Sequence, residues 1–165
     1  MSDKPLYIFD LDGTLALTDH RKHFLDDKDD PHRWRKFFAA CVDDEPNMPV
    51  IRTLQSLRRS GAECWIWSGR SDEVRTQTVE WLCKHGCFGK FIGTLPWWPL
   101  AAPERFKMRA AGDFTPDEVL KRGWLAAIDP PEFDRLTAVF DDRDKVVAMW
   151  REMGVPCFQV ARGEF

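Results

Sequence analysis

The stretch Tyr7-Ile8-Phe9-Asp10-Leu11-Asp12-Gly13-Thr14-Leu15 sets an apolar run against two aspartates, one residue apart, and a Gly-Thr turn. Leu6–Phe9 reads as a fully buried strand, and alternate side chains of a strand share a face. Asp10 and Asp12 are therefore expected to point the same way near the strand's C-terminal end. Two carboxylates pressed together repel, and burying either one unpaired is costly. Compensating cations are required.

Working outward, residues 33–41 suit a short aromatic-rich helix. After Pro46-Asn47, the apolar residues Val50, Ile51, Leu54 and Leu57 recur at helical spacing as far as Gly61. Residues 63–67 form a second strand ending at Ser68-Gly69-Arg70. Residues 72–85 form a helix with Val74, Thr78, Trp81 and Leu82 inward, closed by Gly86. Phe91, Ile92 and Leu95 suggest a short third strand, followed by a Pro- and Trp-rich loop at 96–103. Thr115-Pro116-Asp117-Glu118 combines an N-cap, a proline at the first helical position and an acidic first turn. The helix it opens carries Val119, Leu120, Trp124, Leu125 and Ile128. Residues 136–140 are a strand running into Asp141-Asp142, residues 144–153 a helix stopped by Gly154, and residues 156–160 a last strand.

Strands alternating with helices predict an α/β fold: a Rossmann-like three-layer α/β/α sandwich around a mainly parallel sheet. With no repeat, low-complexity tract or long linker, residues 1–165 are expected to be a single domain. In such sheets chemistry gathers at the C-terminal strand ends. Three strands end in Asp10/Asp12, Ser68-Gly69-Arg70 and Asp141-Asp142.

Bulk properties exclude several classes. Of 165 residues, 44% are hydrophobic and 31% charged, with a net charge of −3, which rules out a disordered or collagen-like chain. That mild acidity gives no overall footprint for nucleic acid but leaves room for a local basic patch. No apolar run approaches the ~20 residues of a membrane span. The first residues do not form a signal peptide, so a cytoplasmic protein is expected. Cys41, Cys64, Cys83, Cys87 and Cys157 are odd in number and read as reduced structural thiols. Cys83 and Cys87 lack the second pair a zinc site needs. Residues 26–30 lack the glycine and closing glutamate of a Ca²⁺ loop and read as solvated. His20, His23 and His32 read as polar surface. Trp97 and Trp98 could equally stack on bases or pack beneath their loop.

Four carboxylates at one sheet edge call for a hard divalent metal. Mg²⁺ suits a few carboxylates plus waters and a substrate phosphate. Ser68, the backbone amides after it and Arg70 offer donors for phosphate oxygens. A lysine, Lys121 or Lys107, would complete the charge balance. Metal, carboxylates and phosphate donors together point to phosphoryl transfer. Without a Gly-rich Walker loop, and with a carboxylate available to attack, an aspartyl-phosphate is the economical route.

These residues resemble the haloacid dehalogenase (HAD) superfamily of phosphotransferases. Asp10-Leu11-Asp12-Gly13-Thr14 is similar to its first motif, Ser68 to its second, a lysine to its third and Asp141-Asp142 to its fourth. More narrowly, the chain resembles the 3′-phosphatase domain of phage-type polynucleotide kinase/phosphatase over nearly its full length. The stretches carrying this are residues 9–21, Ser68-Gly69-Arg70, residues 113–121 and, most specific, residues 140–165. The spacing from Asp117 selects Lys121 over Lys107. The resemblance implies Asp10 as nucleophile and metal ligand. It implies Asp12 as the group that protonates the leaving oxygen and then activates water, its backbone carbonyl also touching the metal. Asp141 would hold Mg²⁺, with Asp142 supporting it or the lysine, while Ser68 and Lys121 grip the phosphoryl group. Arg21, Gly69, Arg70 and Asp117 fall at positions that contact substrate or hold the site together. Short segments between motifs resemble members with little or no cap, whose open sites accept large substrates. The expected activity is removal of a 3′-phosphate from a polynucleotide, with a kinase or ligase as a possible separate partner. A phosphatase of free nucleotides or other small phosphoesters, and a non-catalytic nucleic-acid-binding repair module, are the competing readings.

Overall fold

The apolar run at the head of the chain becomes the central strand of a five-stranded, wholly parallel sheet in a computed structural model describing residues 4–88 and 104–163. This strand, β1 (Leu6–Phe9), pairs with β4 (Glu63–Ser71) on one side and β6 (Leu136–Arg143) on the other. Outside them lie β5 (Phe106–Arg109) and β7 (Cys157–Gly163). The order β5-β4-β1-β6-β7 reverses direction at β1, which opens a crevice at the carboxyl ends of β1, β4 and β6.

Side-chain alternation divides the core in two. Leu6 and Ile8 of β1, Trp65 and Trp67 of β4, and Val139 of β6 pack under α4 (Asp117–Ala126) and α6 (Asp144–Glu152) through Leu125, Val146, Val147, Met149 and Trp150. Phe9, Cys64, Ile66, Phe106 and Met108 face the other way. They meet Ile51 and Leu54 of α2 (Met48–Arg59), and Trp81 and Leu82 of α3 (Arg75–Lys84). The three-layer α/β/α reading therefore holds, with strands buried on both faces as a parallel sheet requires. A short α5 (Pro130–Asp134) precedes β6.

Several boundaries differ from the sequence expectation: β4, β6 and β7 run on to Ser71, Arg143 and Gly163, beyond the expected ends at 67, 140 and 160, and the helix expected at 33–41 stops at Ala39. The strand beside β4 is β5, a four-residue element whose buried Phe106 and Met108 alternate with half-buried Lys107 and Arg109. Two apolar residues give too short a period-2 signal to stand out. The strand expected at Phe91, Ile92 and Leu95, like Trp97 and Trp98, lies outside the described residues. The helix expected from Pro116 starts at Asp117, with Pro116 in the N-cap position.

Residues 18–44 form a small insertion over the carboxyl ends of the strands. It holds a 3₁₀ turn (Asp19–Leu25), α1 (Arg33–Ala39) and a second 3₁₀ turn (Ala40–Asp43). Its ends are tied by an antiparallel ladder between β2 (Ala16–Leu17) and β3 (Glu45–Pro46). Among the described residues no helix is long and apolar enough to cross a membrane.

Candidate active site

β1 ends at Phe9, and the next residue, Asp10, donates its amide to the Phe140 carbonyl of β6 at 2.9 Å. Asp10 continues the face of Leu6 and Ile8, and Asp141 continues the face of Val139, so both turn toward the α4 layer. Lys121 lies one turn before the buried Leu125 on the inward side of α4. It is 2% exposed and donates to Asp10 at 2.6 Å and Asp141 at 2.8 Å. Lys107 points elsewhere, its ammonium 4.9 Å from the Trp67 ring centroid. Lys121 is thus the lysine beside the carboxylates.

Asp10, Asp141 and Asp142 are all buried, each with a carboxylate oxygen within 4.8 Å of the others. Three acids face one ammonium there. Burial pushes the Asp10 carboxyl well above the usual range; Lys121 pulls it back, but Asp141 and Asp142 add to the rise. Burial and neighbouring Asp141 push Asp142 up to about 7. Burial works against the Lys121 ammonium, yet Asp10 and Asp141 outweigh it and hold its pKa above the ordinary value. A cluster of hard oxygen donors with this charge deficit fits a divalent cation such as Mg²⁺. Trp150 also offers its indole Nε1 to Asp141, at 3.4 Å.

The expected alternation does not extend to Asp12. The chain leaves the sheet after Asp10 and folds into a turn in which the Leu11 carbonyl accepts from Leu15 and Ala16, both at 2.9 Å. Gly13 enters that turn at φ +86°, and a Cβ there would collide with the Asp142 carboxylate. Asp12 consequently has its own cations. It accepts from Arg21 Nη2 at 2.8 Å and Arg70 Nε at 3.1 Å. Burial raises its carboxyl pKa, but Arg70 and Arg21 outweigh that and hold it below the ordinary value.

The same two arginines share a second acid that sequence reasoning missed. Asp44 has a fully buried side chain and accepts from Arg21 Nε at 2.6 Å and Arg70 Nη2 at 2.7 Å. His20, which reads from sequence as polar surface, is 2.9 Å from Asp44, and the Asp44 carbonyl accepts the Trp81 indole at 2.8 Å. Two acids and two guanidiniums form a closed, internally neutral set. Arg21 and Arg70, 0% and 1% exposed, belong to the framework of the site. Asp44 sits in Val42-Asp43-Asp44-Glu45, where nothing in the sequence separates it from its acidic neighbours.

Ser68, in the carboxyl-terminal half of β4, is buried, and its Oγ accepts the Arg70 amide at 3.1 Å, which leaves its O–H free to donate. Gly69 lies against Asp117: a Cβ there would stand 2.5 Å from the carboxylate. Asp117 itself is held by Arg109 and Arg143, neither of which the sequence pattern marks. Arg109 also donates to the Gly69 carbonyl at 2.8 Å. Asp10, Asp12, Gly69, Arg70, Arg109 and Arg143 all line one cleft of about 670 Å³.

The family model described as the phosphatase domain of polynucleotide kinase (PNKP), of HAD type, matches residues 4–165. Two solved relatives are chains of the Pnkp1/Rnl/Hen1 RNA repair complex. One is 29% identical, with 100% of this chain covered and a TM-score of 0.74; the other is 30% identical, with 98% covered and a TM-score of 0.73. This chain spans only 45% and 48% of their lengths. A HAD family enzyme from Bacteroides thetaiotaomicron, solved as a magnesium complex, shares the fold at 14% identity. It covers 99% of this chain and 96% of its own, with a TM-score of 0.54.

Proposed function

The chain belongs to the HAD-type phosphatase domains of the polynucleotide kinase family, and from that membership we propose that it hydrolyses the 3′-phosphate of a polynucleotide end, with Mg²⁺, through an aspartyl-phosphate. The observation that carries this reading is the pairing in one cleft of two carboxylates with different neighbours: Asp10 among Asp141, Asp142 and Lys121, and Asp12 between Arg21 and Arg70.

Asp10 Oδ attacks phosphorus as the bond to the leaving oxygen breaks, and Asp12 gives that oxygen its proton, freeing a 3′-hydroxyl. Water then attacks the aspartyl-phosphate, Asp12 takes the water's proton, and the break at Asp10 Oδ releases inorganic phosphate. Asp10, Asp141 and Asp142, with the Asp12 carbonyl, would hold Mg²⁺, which supplies charge neutralisation at the transferring phosphoryl group. Lys121 adds a fixed positive charge beside the attacking oxygen. Ser68, with its O–H free, donates to a phosphoryl oxygen. Arg21 and Arg70 fix the Asp12 carboxylate, and Asp117 fixes Arg109 and Arg143 along the cleft wall. The setting of the two larger relatives in an RNA repair complex supports a polynucleotide substrate and a kinase or ligase as working partner.

The test is phosphate release with Mg²⁺ from a 3′-phosphorylated oligonucleotide, a 5′-phosphorylated one and mononucleotides. Release from the first alone is expected. Preference for mononucleotides would replace the polynucleotide with a small phosphoester, and release from none would leave a binding module. Asp10→Asn is expected to lower turnover by at least about 10³-fold with the fold intact; near-normal turnover would remove Asp10 as nucleophile.

A further inference from the structure

The cleft carries a second chemistry that phosphoryl transfer does not use. In α1, Phe37 turns inward at 8% exposure while Trp34 stands 42% exposed. The Trp34 ring stacks on Phe38, with centroids 5.9 Å apart and planes at 29°, and meets Phe37 edge-on at 84°. The Arg21 guanidinium lies 4.1 Å from the Phe37 centroid, and Arg21 Nη1 donates to the Phe37 carbonyl at 3.3 Å. This is the same arginine that holds Asp12. The aromatic tier is therefore fixed to the proposed acid/base carboxylate through one side chain. Phe114, 84% exposed on the loop between β5 and α4, lines the same cleft.

Exposed aromatic faces lose water-excluding burial unless something covers them. Here they share the cleft with the exposed cations Arg35 and Lys145. Aromatic planes interleaved with positive charge suit an unpaired nucleic-acid strand: bases stack on the rings and backbone phosphates meet the cations. Base-paired ends keep those base faces covered. A small phosphoester has no use for the rings, and an apolar protein surface has none for the cations.

We propose that Trp34 and Phe114 form a base-stacking platform for the nucleotides next to the terminal phosphate, so that the preferred substrate is a single-stranded 3′-phosphorylated end. This rests on the phosphatase reading above. The experiment measures KM and kcat for a 3′-phosphorylated mononucleotide, trinucleotide and decanucleotide, and for the decanucleotide with its 3′ end paired. In the unaltered protein KM is expected to fall from mono- to trinucleotide and then level, and to rise on pairing. Trp34→Ala and Phe114→Ala should each raise the trinucleotide KM roughly 5- to 150-fold, the range for losing one stacked base. Trp34→Phe should recover most of that loss, and the ratio of mononucleotide to trinucleotide KM should collapse toward one in the double alanine variant. Hydrolysis with a KM independent of length or pairing would overturn the platform and spare the phosphatase reading. A double variant that keeps its trinucleotide KM would likewise overturn it, assigning the aromatic face to a protein partner. No hydrolysis of any substrate would bring down both.

Discussion

Asp12 sits between Arg21 and Arg70, whose charges favour its ionised form against the opposing effect of burial. An ionised Asp12 suits the second half-reaction, where it takes a proton from water. The first half needs that proton on Asp12 or on the bound phosphate, whose second ionisation falls near about pH 6. Turnover should therefore decline as pH rises above that region. Replacing one guanidinium lets Asp12 keep its proton to higher pH, so Arg70→Gln is expected to move the falling limb of the kcat profile upward while lowering its height. A limb that stays put would remove the arginines from control of that proton. Asp44 explains why the guanidiniums do not collapse onto Asp12 altogether: it takes a share of their donors. The sequence displayed Asp10, Asp12, Lys121 and Asp141 because motif spacing and strand ends mark them. Asp44 has neither mark, and its importance comes only from burial opposite Arg21 and Arg70.

At the scale of elements, the turn after β1 decides where the two carboxylates go. A strict period-2 alternation would place Asp10 and Asp12 on one face; β1 ends at Phe9, so the turn built on the Leu11 carbonyl sets Asp12 apart with its own counter-ions. Gly13 makes that turn possible in two ways, by its positive φ and by leaving room for Asp142. Gly61 has a positive φ of +95° and open space, with nothing within 4 Å of where a Cβ would stand, so it isolates the first effect. Gly61→Ala is expected to cost about 1 to 2 kcal/mol of stability with activity retained. Gly13→Ala should cost that and also displace Asp142, lowering activity by at least about tenfold. Denaturant midpoints and phosphate release on both variants check the contrast; equal activities would show that Asp142 tolerates the displacement. The long apolar strands and amphipathic helices were legible because burial on two faces writes continuous runs. β5 was not, because a four-residue edge strand with alternating charges resembles a loop.

For the molecule as a whole, the acids at the sheet edge tie cation binding to protons. Asp10 and Asp142 both have raised carboxyl pKa values, and Asp142, at about 7, holds protons near neutrality where an ordinary aspartate does not. A cation binding there must displace protons, and its affinity should fall as pH drops below about 7. Calorimetry in buffers of different ionisation enthalpy should detect proton release with Mg²⁺ near pH 6.5; a buffer-independent heat would contradict the raised values. The buried thiols act in the opposite pH range. Burial pushes Cys64 up to about 11 and Cys87 up to about 12, from an ordinary 9.0. A folded value above the unfolded one means this stabilisation is complete below about pH 9. It is lost as pH rises toward 11 to 12. At pH 8 a thiol reagent should label the half-buried Cys83 first and the other four only on unfolding. Rapid labelling of Cys64 or Cys87 would show that this layer opens.

Trp67 lies at the centre of an indole array, with Trp65, Trp124 and Trp150 at 6.2, 5.9 and 6.0 Å between centroids. Rings this close exchange excitation, and Trp150 ends the array with its N–H on Asp141. The core that holds the sheet together is therefore also an antenna wired to the acidic site, and a cation arriving beside Asp141 is expected to change the protein's own near-ultraviolet signal without any attached dye.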